Sequence, residues 1–101
     1  MAEIRWTDQA LDDLDAVCQF IARDSTHIAE VFAARVMSAV EQLEDFPESG
    51  RVVPEINRPD VREIFVYAYR IMYRVQPTHR QVQILTVYHG ARLLKDLDFA
   101  D

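Results

Sequence analysis

Between Asp8 and Arg23 the apolar positions are Leu11, Leu14, Val17, Cys18 and Ile21. They form one stripe at helical spacing, opposite Asp8, Asp12 and Asp15 with Asp13 and Gln19 nearby, so the segment predicts an amphipathic helix. Thr7 offers a capping hydroxyl, and Asp8 suits the positive end of the helix dipole. Asp24-Ser25-Thr26 breaks the pattern and can cap a second helix. Its stripe is Ile28, Phe32, Val36, Ala39, Val40 and Leu43, with Val31 at the edge, and it runs to Asp45. That is about twenty residues, or roughly 30 Å at the rise of an α-helix. Pro47 ends it, because proline disfavours the helical conformation in the residue before it. A connection this short predicts an antiparallel helix hairpin.

From Val61 the period changes to two. Three runs, Val61–Val66, Tyr69–Val75 and Val82–Tyr88, are rich in β-branched and aromatic residues and joined by short connectors. They predict a three-stranded antiparallel meander. In the middle run Tyr69, Ile71, Tyr73 and Val75 share one face, and Arg70, Met72 and Arg74 the other. With Val75 opposite Val82 across the Pro77–Arg80 turn, a regular ladder sets Tyr73 against Ile84, Ile71 against Thr86 and Tyr69 against Tyr88. The second face then carries Arg70, Met72, Arg74, Gln83, Leu85, Val87 and His89, joined by Glu63 and Phe65 from the first run. This register puts His89 diagonally beside Arg70 on a face aimed at water or a partner; a one-residue slip would exchange the faces of a whole strand. Ile4 and Trp6 predict a brief strand over Ala2–Trp6 that joins the sheet. The helix stripes need cover, and the Tyr69/Ile71/Tyr73 face supplies it. The predicted fold is α+β: a short N-terminal strand, a helix hairpin packed on one face of a small antiparallel sheet (β-α-α-β-β-β), and a short tail with Leu93, Leu94, Leu97 and Phe99.

Composition narrows the class. A chain of 101 residues, half of them hydrophobic, predicts one domain spanning 1–101 with one core. No apolar run approaches the roughly 18 residues of a membrane span, and no signal-peptide pattern is visible, so a soluble cytoplasmic protein without membrane contact is expected. A single cysteine, Cys18, leaves no internal disulfide and no cysteine-rich zinc site. The net charge of −6 is unevenly spread: residues 1–50 hold 11 acidic side chains against 3 arginines, and residues 51–92 hold 7 arginines against 3 acidic side chains. The 15-residue stretch Phe46–Asp60 holds three of the four prolines and predicts a loop, with Gly50 suited to a left-handed turn position. A loop this long in so small a domain is often functional.

Several pieces of this order carry a resemblance. They are Leu11 and Leu14, Phe46-Pro47-x-x-Gly50-Arg51, Val53-Pro54-Glu55, Arg62-Glu63, Tyr69-Arg70-Ile71-x-Tyr73, and Ile84-Leu85-x-Val87-x-His89-Gly90-Ala91-Arg92. Together they resemble the RelE/ParE superfamily of toxins from bacterial type II toxin–antitoxin modules, which include plasmid-stabilisation systems. The His-Gly-Ala-Arg ending and the Arg-Glu pair look like the ParE-type branch. That resemblance implies a protein-binding toxin directed at DNA gyrase, with no hydrolytic site and no cofactor. It also implies silencing by a cognate acidic antitoxin from a neighbouring gene. The RelE-type alternative implies a metal-independent endoribonuclease that cuts mRNA on the ribosome. A third possibility is an inactive homologue that only binds its antitoxin.

Metal-free RNA cleavage needs a base for the 2′-hydroxyl, an acid for the leaving oxygen and cations around the phosphate. Under the ribonuclease alternative, Glu55 would be the base, Arg70 would support the phosphate and His89 would supply acid or stacking. Under the ParE-like reading, Arg62, Arg70, Arg74, His89 and Arg92 would form the partner-binding surface. Each has a plainer role to weigh against this: Glu63 as an ion-pair partner of Arg62, Arg70 or Arg74, and His89 as a hydrogen-bonded strand end. Tyr69 and Tyr73 are expected in the core, and Cys18 as a small apolar group. Asp12, Asp13 and Asp15 are expected on a solvated helix face, because adjacent helical carboxylates do not converge on a metal. Nonspecific RNA affinity rests on cations, so the overall acidity favours protein binding.

Overall fold

The computed structural model describes residues 1–91. In chain order, β1 (Glu3–Trp6) leads into α1 (Asp8–Ala22) and α2 (Thr26–Glu41), with a 3₁₀ turn at Gln42–Glu44. Strands β2 (Arg51–Val52), β3 (Val61–Val66), β4 (Tyr69–Gln76) and β5 (Gln81–His89) follow. The five strands form one sheet in the order β1-β5-β4-β3-β2, with β1 parallel to β5 and the other pairs antiparallel. The expected β-α-α-β-β-β order holds, with the two-residue β2 added inside the predicted loop. Arg92 and the predicted apolar tail lie outside the described residues.

Both helices start where the sequence places a cap. Thr7 Oγ1 accepts from the Ala10 amide at 3.1 Å, and Ser25 Oγ from the Ile28 amide at 3.1 Å. The second helix stops at Glu41 rather than Asp45 and tightens into the 3₁₀ turn before Pro47. The buried stripes sit slightly off the expected ones. Ala10 is fully buried and Leu14, Val17, Cys18 and Ile21 pack beside it, whereas Leu11 is exposed. On α2, Ala29, Phe32, Val36 and Val40 are buried and Ile28 is exposed. In both helices the small alanine one position away permits the closest approach, and the larger neighbour turns outward.

The helices cover the sheet face that carries Ile71, Tyr73, Val75, Val82, Ile84 and Val87. Tyr73 is wholly buried, and its hydroxyl accepts from the Gly50 amide at 2.9 Å. No glycine among the described residues has a positive φ, so Gly50 does not serve a left-handed turn. It serves close approach: a Cβ there would come within 2.5 Å of the Tyr73 hydroxyl and 2.6 Å of the Glu63 carbonyl. Tyr67, in the two-residue β3–β4 connection, and Arg80, before β5, take the left-handed conformation instead, at φ 53° and 48°.

The predicted register holds from Val75–Val82 to Tyr73–Ile84 and then breaks. An irregularity opposite Met72 takes up Leu85, so Ile71 faces Val87 rather than Thr86, and Tyr69 faces His89 rather than Tyr88. One extra residue on one strand of an antiparallel pair is a β-bulge. Its effect is to exchange the faces of everything after it. Val87 and His89 go to the helix side, and Tyr88 goes to the side of Arg70.

The bulge lies where β5 loses its neighbour. Strand β1 pairs only as far as Trp6–Ile84. Thr7 closes that end, its amide bonding the Ile84 carbonyl at 3.1 Å and its hydroxyl donating to the same oxygen at 2.7 Å. Beyond it, Asp13 Oδ2 accepts from Thr86 Oγ1 at 2.5 Å and from the Val87 amide at 3.2 Å. Asp13 is therefore not part of a solvated face; it stands in for the missing strand.

Candidate functional site

The second sheet face is not open. Val53, Val61, Met72 and Tyr88 form a small buried cluster with Ile56 and Leu85 against it, so the loop after β2 folds back over the strands. Hydrogen bonds hold that loop: the Val53 amide to the Val61 carbonyl at 3.2 Å, and the Asn57 amide to Val53 at 2.8 Å. Arg62 also holds it, donating to the carbonyls of Pro59 at 3.1 Å and Gly50 at 3.0 Å. Arg62 is thus a staple within the fold rather than a free surface cation.

Beneath the loop lies a chain of charges. Glu63, buried on β3, accepts from Arg70 Nε at 2.5 Å through one oxygen and from Arg51 Nε at 2.6 Å through the other. Arg70 turns its other edge to Glu55, with Nη1 and Nη2 reaching the two carboxylate oxygens at 2.8 and 3.0 Å. This is the parallel two-point geometry that makes arginine the partner of choice for a planar carboxylate. Arg70 lies 5.3 Å from the Tyr88 ring centre, and Arg51 lies 5.2 Å from that of Phe65. The Arg70 side chain is 5 % exposed and that of Glu63 0 %, against 44 % for Glu55. The expectation that Arg70 faces solvent or a partner is therefore corrected: it faces away from the helices, but the loop roofs it over. Arg74, half-buried on the same face, adds a secondary pull on Asp60, whose carboxyl is held low first by Arg58.

The ion pairs fix the protonation states. The hydrogen bonds from Arg70 hold the Glu55 carboxyl down at about 2, against its ordinary 4.5. Glu55 and Glu63 in turn push Arg70 upward, so it stays charged at every accessible pH.

The proposed trio does not assemble. Glu55 and Arg70 touch, but the bulge carries His89 to the opposite side of the sheet. There its ring meets Tyr69 edge-on at 5.4 Å, and Nδ1 accepts from the Ala91 amide at 3.1 Å. Tyr88, expected beside Tyr69, occupies the place expected for His89. Arg51 and Tyr88 are the site residues that sequence reasoning missed. Arg51 lay in a segment read as loop, and Tyr88 was misplaced because a bulge leaves no mark in an alternating run. Among the described residues, no cluster of three or more His, Cys, Asp or Glu side chains could hold a metal ion.

A second feature lies at the other end of β3. A groove of about 710 Å³ runs between α2 and that strand, lined by Val31, Ala34, Arg35, Ser38, Ala39, Gln42, Phe65, Val66 and Tyr67. Phe65 and Tyr67 are half or more exposed, and the Arg35 guanidinium lies 5.8 Å from the Tyr67 ring centre. Strand β2 pairs only with Arg62 and Glu63. Among the described residues, the outer edge of β3 from Ile64 to Val66 therefore has no strand beside it. No helix among them is long and apolar enough to cross a membrane.

Comparison with known proteins places this architecture. The chain is 35% identical over 94 residues to Toxin RelE2 of Caulobacter vibrioides, a match covering 92% of this chain and all of that protein. Its fold superimposes on a chain of the chromosomal ParDE toxin–antitoxin system of P. aeruginosa with a TM-score of 0.70, at 23% identity, covering 88% of this chain and 96% of that one. It also superimposes on a chain of the RelBE2 toxin–antitoxin complex of Mycobacterium tuberculosis with a TM-score of 0.58, at 26% identity, covering 87% and 96%. Residues 4–94 match the family described as the ParE toxin of the type II toxin–antitoxin system parDE, and the chain belongs to that family within the RelE/ParE superfamily.

Proposed function

We propose that this chain poisons a protein target in the cytoplasm, DNA gyrase, by binding rather than by cutting RNA. The observation that carries the reading is the separation of Glu55 and Arg70 from His89 by the thickness of the sheet. General acid–base catalysis needs both groups within reach of one substrate, and a useful base has a pKa near the working pH. Glu55, held at about 2, is a poor proton acceptor. The choice of gyrase rests on membership of the ParE family.

A cognate antitoxin silences the toxin by filling the groove beside α2. The groove offers exposed aromatics, the cation of Arg35 and a sheet edge open to an added strand, features that suit an extended or helical segment with acidic side chains. Arg74, His89 and Arg92 remain candidates for contact with the target.

Inducing the chain alone in a bacterial host tests the reading. Gyrase poisoning predicts filamentation and a DNA-damage response with intact messages, relieved by co-expressing the cognate antitoxin. Rapid translation arrest with cuts in ribosome-bound mRNA would replace it with the ribonuclease reading. Normal growth would indicate an inactive homologue.

A further inference from the structure

We propose that the Arg70 guanidinium is a recognition seat for a carboxylate side chain of a protein partner, and that Glu55 fills this seat in cis until the partner arrives. The inner end of Arg70 is fixed: Nε is bonded to Glu63, which is itself wholly buried, and the guanidinium lies over the Tyr88 ring. The outer end presents two parallel donors, and the group that receives them is 44 % exposed, against 5 % for Arg70 and 0 % for Glu63. A pair built only for stability has no need of this asymmetry. A held fork with an exchangeable carboxylate at its mouth is also how a binding site with an internal stand-in would look.

Exchange requires little motion. The loop backbone is held by the amides of Val53, Ile56 and Asn57, none of which involves the Glu55 side chain. A swing of Glu55 into water therefore opens the fork without unfolding the loop. The chemistry of the seat favours carboxylate over phosphate. Its rear wall is the negative Glu63 and its floor is an aromatic ring, so it suits one planar monoanion. A nucleic-acid backbone needs further cations around it, which a chain of net charge −6 is poorly placed to supply. That the carboxylate belongs to a protein rests on the protein-binding reading above.

The test uses the full chain and its Glu55→Gln and Glu55→Ala variants, followed through the Arg70 Nε–H resonance by NMR. The probes are a capped peptide carrying one glutamate and, separately, inorganic phosphate. The expected result is saturable peptide binding at least tenfold tighter in both variants than in the unaltered chain, with the Ile56 and Asn57 amides unmoved. Equal affinity in all three chains, no saturable shift in Glu55→Gln, or tighter binding of phosphate than of peptide would overturn the proposal. Toxicity plays no part in the readout. A chain that binds the peptide but spares gyrase keeps this inference and loses the target reading.

Discussion

Glu63, wholly buried, holds the buried guanidinium of Arg70 and the more exposed one of Arg51, and its removal would leave the inner end of Arg70 buried without its acceptor. Breaking one partner of a buried pair costs about 3–5 kcal/mol, so Glu63→Ala should lose stability on that scale by urea denaturation. Glu55 behaves differently. Its folded pKa of about 2 lies below the ordinary 4.5, so its contribution is complete above about pH 4.5 and fades as pH falls from there toward 2. Half-exposure and solvent screening keep that contribution modest. Stability measured against pH should show this acid limb in the unaltered chain and a weakened one in Glu55→Gln. At Gly50 the constraint is space. Gly50→Ala drives a methyl group into the Tyr73 hydroxyl and the Glu63 carbonyl, and about 1–3 kcal/mol of destabilisation is expected from a thermal or urea melt.

Strand β5 shows how one element positions the others. Asp13 on α1 receives the Thr86 hydroxyl and the Val87 amide just past the bulge. Asp13→Ala should leave that amide without its acceptor, at a cost of about 1–3 kcal/mol, and speed its hydrogen exchange relative to the central amides of β4. The elements themselves were legible. The helix caps at Thr7 and Ser25, the change of period at Val61 and the pairing of Val75 with Val82 all follow from local chemistry. What was not legible lies past Leu85. An inserted residue in a strand keeps the same β-branched and aromatic composition, so nothing in the run Val82–Tyr88 marks the place where faces exchange. The misplacement of His89 and Tyr88, and with it the supposed catalytic surface, came from that one residue. The burial of Arg70 was hidden for another reason: a proline-rich loop that folds back through Val53 and Ile56 has no periodicity to announce it.

The whole molecule divides its two sheet faces between two tasks. One is sealed by the helix hairpin around Tyr73 and Phe32. The other is closed by the proline-rich loop over a chain of charges, and the groove beside α2 is left with its aromatics exposed. If that groove seats the antitoxin, Ala34→Glu, at an exposed helix position, should weaken antitoxin capture at least tenfold by calorimetry while leaving the melting temperature within a few degrees. An unaltered affinity would move the antitoxin to another surface. The central claim is that this fold acts by binding a protein and does not assemble an RNA-cutting site. The most direct measurement adds the purified chain to gyrase with relaxed plasmid and, in parallel, to a translating ribosome with a defined message. The account predicts loss of supercoiling with the message intact. Cleavage of the message at the ribosome with supercoiling unimpaired would contradict it.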